Sequence, residues 1–172
     1  LPEDKITGFQ RWLVNFSQEL DLSKKIHLSA KYYRVSDSKY FEEVARTNTD
    51  VESLKSSLKY SYEDKSDNLK AHFLTEDEQV VNFGIPSYTR ELEGSLSKTF
   101  NGDQKTPIKV DIVSTRFTHD TSTKESGNRS HGKIEISRIL NINYPKVTPR
   151  VSVSSTQYSL KNSPDINRTI LG

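Results

Sequence analysis

The last third of the chain contains the clearest strict alternation of apolar and polar side chains in the sequence. Between residues 133 and 144 the even positions are Ile134, Ile136, Arg138, Leu140, Ile142 and Tyr144. Because successive side chains of a β-strand point to opposite faces, this pattern predicts a long, half-buried antiparallel strand with one apolar face. Segments 108–112 and 147–153 alternate in the same way and predict two neighbouring strands.

Composition indicates a folded domain that does not depend on covalent cross-links. The chain has 172 residues, with 8 Tyr, 7 Phe and 1 Trp, which a disordered chain would lack because it has no core to fill. The chain has no Cys, which excludes disulfides, thiolate zinc sites and thiol catalysis. We expect one domain over residues 1–160, followed by a frayed tail at 161–172.

Upstream of the alternating region, the spacing of apolar residues predicts two to three helices. Residues 4–20 have apolar side chains at steps of three and four, and residues 87–100 have them at steps of four. Both stripes are typical of amphipathic helices. Residues 36–38 are of types that cap helices, which predicts a short third helix after them. Residues 50–63 leave two alternatives open, because a capping box favours a helix and later alternation favours a strand.

Together these elements predict an α+β fold. Alternation at 24–35 indicates a strand, and alternation on both sides of a polar turn indicates a hairpin over 57–75. We therefore expect an antiparallel, possibly curved sheet of about five to six strands with two to three helices packed on one face. The order of elements is similar to that of cystatin-like and nuclear-transport-factor-like cones, an analogy that concerns fold alone.

The polar segment 118–132 contains the best candidates for chemistry. His119, Asp120, Glu125 and His131 offer imidazole and carboxylate groups, which ligate divalent metals. Their spacing matches no metal signature, and no nucleophile or phosphate-loop motif occurs in the chain. We therefore predict no metal, no cofactor and no catalytic residue. A hydrolase or metal-dependent enzyme centred on this segment is one alternative.

Charge is distributed unevenly along the chain, and this supports a second alternative. Basic side chains outnumber acidic ones in residues 100–172, whereas the reverse holds in residues 1–99. A basic strand-rich half is typical of domains that contact phosphates, including nucleic-acid binders. Arg138 is notable because it occupies a position on the apolar face. Such a residue requires a local bulge, an acidic partner or a ligand anion.

The preferred hypothesis is a non-enzymatic protein-interaction or assembly domain. Strand edges offer unpaired main-chain groups, so we predict that segment 147–160 pairs with another protein or with a second copy. The predicted partner-binding residues are Arg138, Val147, Arg150, Val151, Val153 and Tyr158. The absence of an initial Met indicates a processed precursor, which favours export to the cell envelope or secretion. Any membrane attachment is expected to use a segment outside this chain, because no apolar run approaches the ~20 residues that a spanning helix needs.

Overall fold

The computed structural model describes residues 10–45, 51–81, 86–103, 106–119, 121, 124–140 and 147–172. Within these ranges the chain forms a single antiparallel sheet in which each strand pairs with its neighbours in sequence. The strands are β1 (Leu13–Ser23), β2 (Ile26–Val35), β3 (Ser53–Asp64), β4 (Leu69–Val80), β5 (Thr89–Asp103), β6 (Thr106–Thr118), β7 (Gly127–Ser137), β8 (Arg150–Leu160) and β9 (Ile166–Leu171). β1 and β9 form the two edges of the sheet.

The predicted α+β fold class is wrong, because the described residues form nearly all-antiparallel sheet. Their helical content is one five-residue π-helical segment, Phe41–Ala45, at the place of the predicted short third helix. Residues 13–20 of the first predicted helix belong to β1, and residues 89–100 of the last belong to β5. Residues 4–9 lie outside the described ranges.

The reason for this error is that a step of four residues fits both periods. Leu92, Leu96 and Phe100 recur every four positions, which lines them up on a helix. Four is also a multiple of two, so the same residues lie on one face of a strand. Gly94 and Lys98 stand at the intervening even positions and hide the alternation. Pairing with β6 on one side and β4 on the other favours the strand.

Several strand predictions are confirmed. β2 covers most of segment 24–35, β3 and β4 form the predicted hairpin, and the ambiguous segment 50–63 is strand from Ser53 onward. The alternation at 133–144 continues as β7 through Ser137, followed by an isolated bridge between Leu140 and Val147. Residues 141–146 of that prediction lie outside the described ranges. The expected frayed tail instead contains β9, which pairs with β8.

Arg138 follows the last residue of β7 and is exposed. Its backbone N–H donates to the carbonyl of Pro149 at 3.1 Å. The strand thus ends before the position at which the alternation would place this guanidinium on the apolar face. The expectation of a bulge, an internal acid or a ligand anion therefore does not apply to it.

The β3–β4 hairpin is held by one carboxylate. Asp64 Oδ1 accepts from the backbone N–H of Ser66 at 3.0 Å and from its hydroxyl at 2.6 Å, while Oδ2 accepts from Lys25 Nζ at 2.6 Å. Asn68 closes the turn in the left-handed region with φ of 49°, a conformation that Asn tolerates. Hydrogen bonds from Lys25 and Ser66 hold the pKa of Asp64 well below its ordinary value.

A small packed core lies where β2, β3 and β4 meet the π-helical segment. We call Val35, Phe41, Leu54 and Val81 the packed core. Tyr33, Tyr40 and Val51 contact it from the side. β2 and β3 lose their pairing beyond Lys31 and Ser57, and the packed core lies in this region. Of the buried apolar residues that the structure describes, Leu74 on β4 is the one outside this cluster.

Polar side chains replace the missing ladder where β2 leaves β3. Gln79 Oε1 accepts from the backbone N–H of Val35 at 3.0 Å, and its Nε2 donates to the Val35 carbonyl at 2.9 Å. Ser56 Oγ accepts from the backbone N–H of Tyr33 at 3.1 Å. Unpaired backbone groups beside an apolar core would cost about 1–3 kcal/mol each, so these side chains make the packed core possible.

Candidate functional site

The cross-strand register joins apolar side chains into one surface. Phe16 lies opposite Tyr32, Leu28 opposite Tyr60, and Tyr60 opposite Phe73. Farther along the sheet Leu96 lies opposite Ile112, and Ile134 opposite Val153. We call the following residues the apolar face: Phe16, Leu20, Leu28, Tyr32, Leu58, Tyr60, Phe73, Leu96, Phe100, Ile108, Ile112, Ile134, Ile136, Val151 and Val153.

The apolar face is open along most of the sheet. Phe16 and Ile134 are each 51% exposed, and Val151 is 67% exposed, whereas Leu54 in the packed core is 1% exposed. Single exposed apolar residues are ordinary on protein surfaces, but a contiguous apolar surface across eight strands is not. Surfaces of this kind mark contact with a protein, a lipid or a membrane.

The opposite side of the sheet has the reverse chemistry. We call the following residues the polar face: Lys31, Lys59, His72, Glu93, Ser95, Ser97, Asp111, Thr115, Arg129, His131, Lys133, Glu135, Thr156, Tyr158 and Arg168. Hydroxyl and charged groups predominate on it. The sheet therefore presents two chemically distinct surfaces, because successive side chains of each strand point alternately to one and then to the other.

A network on the polar face is centred on Glu93. Its Oε1 lies 3.2 Å from His72 Nε2, and its Oε2 accepts from the Thr115 hydroxyl at 3.0 Å. Because an ionised carboxylate only accepts, the Nε2 facing Glu93 is a donor position. The Nδ1 of His72 lies 2.7 Å from the Ser95 hydroxyl. Three strands, β4, β5 and β6, are joined through these side chains.

Arg90 extends the network by means of a β-bulge. The register of β5 on β6 shifts between Arg90 and Leu92, so that Glu91 is an extra residue. As a result Arg90 and Glu93 lie on the same face, although three residues separate them. Arg90 binds both oxygens of Glu76 at 2.8 and 2.9 Å and approaches Glu93 at 3.4 Å. These hydrogen bonds lower the pKa of Glu76.

A second network lies on β5, β6 and β7. Lys133 donates to Glu135 at 2.8 Å, and Lys109 pairs with Asp111 at 3.0 Å. Burial acts to raise the pKa of Asp111, but hydrogen bonds from Ser97 and Lys109 outweigh it, so the pKa is lowered. The pKa of Glu135 is lowered chiefly by its hydrogen bond with Lys133. Both carboxyl groups are therefore stronger acids than ordinary Asp and Glu side chains.

A cleft of about 480 Å³ lies at the end of β6, β7 and β8, and His119 lines it. The ring of His119 packs edge-on against Tyr88, with 4.8 Å between centroids, and its Nδ1 accepts from the backbone N–H of Thr121 at 3.1 Å. Its Nε2 is buried and has no hydrogen-bond partner among the residues that the structure describes. Gly127 forms the tight wall, since a Cβ there would lie 2.3 Å from the Ser159 carbonyl oxygen.

The predicted metal candidates do not come together among the described residues. His119 directly follows β6, whereas His131 lies within β7 and its Nδ1 is 2.7 Å from the Thr156 hydroxyl. Glu125 instead accepts from Ser163 at 2.9 Å and from the Asn162 backbone at 3.3 Å. Asp120 lies outside the described residues. The part of the chain that is described holds no group of three or more His, Asp or Glu residues suited to a metal ion.

The predicted partner-binding residues separate into two groups. Val151, Val153 and Tyr158 lie along β8, the valines on the apolar face and the tyrosine on the polar face. β8 is not an edge strand, because β7 and β9 pair with its two sides. Arg138, Val147 and Arg150 are exposed together at the end of the β7–β8 hairpin, where Ser137 pairs with Arg150 and Leu140 with Val147.

The sequence reasoning missed the network around Glu93. It comes from residues 72–76, 90–95 and 115, which are distant in sequence and match no motif. The one available signal was the even spacing of polar residues at Lys70, His72 and Glu76, which marks one face of a strand. Reading 87–100 as a helix separated Arg90, Glu93 and Ser95 from that face.

Among the described residues, no helix combines the length and the apolar character that crossing a bilayer requires.

Fold and faces together define a class: an antiparallel sheet protein with one exposed apolar face and one charged face, lacking a metal cluster in its described part. Residues 9–169 match the family model described as LPS (lipopolysaccharide) transport system D, LptD. Since this match covers most of the chain, the protein belongs to that family. No curated protein sequence matches the chain.

The family assignment supports the preferred hypothesis in its coarse form. The family acts in lipopolysaccharide transport and belongs to the cell envelope, in agreement with a non-enzymatic assembly role and with export rather than a cytoplasmic location. It favours this hypothesis over the hydrolase and nucleic-acid alternatives. The Ser95–His72–Glu93 order resembles that of a serine hydrolase, but here Glu93 is shared with Arg90 and Thr115. We interpret the network as a cross-strand clamp.

Proposed function

We propose that this chain serves lipopolysaccharide transport as a membrane-contacting sheet. In this proposal the apolar face contacts the hydrocarbon of the outer membrane, and the polar face contacts water and the hydrophilic part of the transported lipid. The observation that carries the proposal is the continuous exposed apolar surface opposite a charged one. A protein in water would cover such a surface, whereas lipid solvates it.

Strand length supports lipid rather than protein as the occupant. β1 to β8 have 10 to 15 residues each. A tilted strand needs about 9–11 residues to cross the hydrocarbon layer of a bilayer. The apolar face also extends from β1 to β8, far wider than the groove that a single partner strand or helix would fill.

The absence of Cys allows a direct test. Because no native thiol competes, single cysteines at neighbouring positions can each receive one spin label: Leu96 and Ile134 on the apolar face, Ser95 and Glu135 on the polar face. In vesicles we expect oxygen, which concentrates in lipid, to relax labels at 96 and 134 most strongly. A water-soluble nickel chelate should relax labels at 95 and 135.

Adjacent positions serve as matched controls, because labels at 95 and 96 share strand, depth and sequence neighbourhood and differ only in face. Equal exposure of both faces to the nickel chelate would contradict contact with hydrocarbon. Equal protection of both faces from the two reagents would indicate that protein, rather than lipid, covers the apolar face.

We further propose that a protein partner contacts the end of the β7–β8 hairpin. Arg138, Val147 and Arg150 are exposed there, and two guanidinium groups suit an acidic partner surface. A photo-crosslinker at Arg138 should capture a protein, whereas one at Lys65 in the β3–β4 turn should not. Capture of the same protein at both positions, or at neither, would contradict this contact.

A further inference from the structure

The polar face contains both paired and unpaired cations. Some of its bases are matched by acids, as for Lys109 with Asp111, Lys133 with Glu135, and Arg90 with Glu76. Lys31 and Lys59, on β2 and β3, have no ion pair with a described residue. Arg129 on β7 and Arg168 on β9 have no ion pair with any described residue. Both are exposed.

The register places these two arginines around Tyr158. Arg129 lies directly opposite Tyr158, with its guanidinium carbon 5.9 Å from the ring centroid. Arg168 lies opposite Thr156, two residues from Tyr158 on the same face. From standard strand spacing and rise, the Cα atoms of Arg129 and Arg168 are about 12 Å apart. Side chains as long as Arg can therefore reach one ligand between them.

Neither of the two nearby acids forms an ion pair with these arginines among the described residues. The carboxylate of Glu125, in the loop before β7, accepts hydrogen bonds from Asn162 and Ser163, and Asp165 directly precedes β9. Lys161 adds a further positive charge beside the cleft that adjoins Gly127. The cleft is lined by Gly127 and Leu160, which pair with each other and lie on the same face as Arg129 and Tyr158, two residues farther along β7 and β8. The cleft therefore begins about 7 Å along the strands from the Arg129–Tyr158 pair.

We infer that Arg129, Tyr158 and Arg168 form a binding site for a phosphorylated sugar on the polar face. Guanidinium groups match the geometry of phosphate oxygens and bind them with two parallel hydrogen bonds. Tyr158 holds Arg129 by a cation–π contact and offers a hydroxyl to the sugar. That the natural ligand is lipopolysaccharide rests on the proposed function, whereas the anion site itself does not.

Binding measurements on the protein in detergent test the site. The probes are inorganic phosphate, lipopolysaccharide, and lipopolysaccharide from which the phosphate groups have been removed. We expect Arg129→Gln and Arg168→Gln each to weaken binding of intact lipopolysaccharide by about tenfold or more, and to leave binding of the phosphate-free form unchanged. Tyr158→Ala should weaken binding of intact lipopolysaccharide, and Tyr158→Phe should weaken it less.

Lys31→Gln and Lys59→Gln are the matched controls. Each substitution removes one positive charge from the polar face, as the arginine substitutions do, but on β2 or β3, far from β7 and β9. They should change affinity by less than about twofold. Equal losses in these controls would overturn the site in favour of a general charge effect. Far-UV circular dichroism identifies any variant that fails to fold, and the conservative Arg→Lys variants then provide the comparison.

The outcomes separate this site from the proposed function. Equal affinity of the wild type for intact and phosphate-free lipopolysaccharide overturns the site. The proposed lipid contact of the apolar face is tested separately, by the spin-label measurements. Arginine-dependent binding of inorganic phosphate alone, without any effect on lipopolysaccharide, overturns the assignment to a sugar phosphate. Arginine-dependent binding of intact lipopolysaccharide supports the site whatever the labels show.

Discussion

The packed core and the open sheet differ in how they accommodate apolar side chains and backbone hydrogen bonds. Around Leu54 the chain buries its apolar side chains against one another and uses Gln79 and Ser56 to pair the backbone groups that lose the ladder. Around Leu96 and Ile112 the backbone ladder is regular and the apolar side chains remain exposed. The first region covers its own apolar side chains, whereas the second leaves them exposed.

This difference teaches where the stability of each region comes from. In the packed core, stability comes from burial of apolar surface, about 25 cal/mol per Å². In the open sheet the internal contributions are the ladder and polar clamps such as that around Glu93. We therefore expect mutations of similar chemistry to have different effects in the two regions.

The largest effect is expected for Leu54→Ala. Truncating a 1% exposed leucine leaves a cavity, so the free energy of unfolding should fall by about 2–5 kcal/mol. Leu96→Ala removes the same atoms from a side chain that is 45% exposed, and should cost less in detergent. Chemical denaturation of both variants makes the comparison. Equal losses would mean that the two regions do not differ as described.

A smaller effect is expected for Glu93→Gln. The amide keeps the size of the side chain but removes the charge that accepts from His72, Thr115 and Arg90, so unfolding should become easier by about 1–3 kcal/mol. Glu91→Gln is the matched control, because Glu91 lies on the same strand and its one ion pair with a described residue is with Arg116. If both variants lose the same stability, the clamp contributes no more than an exposed ion pair.

The smallest effect concerns Asp64, at the end of the β3–β4 hairpin far from the packed core. Its pKa is held below the ordinary value of about 3.9, so its stabilising contribution is complete above that pH and is lost as pH falls below it. Asp64→Asn should be less stable than wild type at pH 7, with the difference narrowing below about pH 4. Thermal unfolding across pH 2–7 measures this.

Asp67→Asn is the control for loss of a carboxylate from the same turn. Asp67 pairs with Lys98 at 2.6 Å and so lacks the contacts that Asp64 makes with Lys25 and Ser66. We expect it to alter the acid dependence less than Asp64→Asn does. A constant stability difference between wild type and Asp64→Asn across the whole pH range would exclude the carboxylate as its source.

The sequence predicts the strands well where alternation is unbroken, and poorly where small or polar residues interrupt the apolar face. β6 and β7 were recognisable because Ile108, Val110 and Ile112, then Ile134 and Ile136, occupy consecutive even positions. β1 and β5 were not, because Gln18, Gly94 and Lys98 interrupt their apolar rows and leave a four-residue step. Only pairing with neighbouring strands resolves that ambiguity.

The two faces were partly predictable and the networks were not. The sequence of each strand shows which of its sides is apolar. Whether that side is buried depends on what covers it, and the predicted helices that would have covered it are strands. The clamp on Glu93 depends on the register of three strands and on a one-residue shift in β5. Local sequence contains neither piece of information, because register is set by the whole sheet.

The extra residue Glu91 has a consequence for how this strand tolerates change in length. Deleting that single residue would restore an even count and turn Thr89 and Arg90 through half a rotation, exchanging the surfaces they address. The Arg90 guanidinium would then move away from Glu76 and Glu93 to the apolar face, whereas a substitution such as Glu91→Gln keeps the residue count and with it the register. At this position the number of residues in β5 determines which face Arg90 occupies, whereas the identity of residue 91 does not set it.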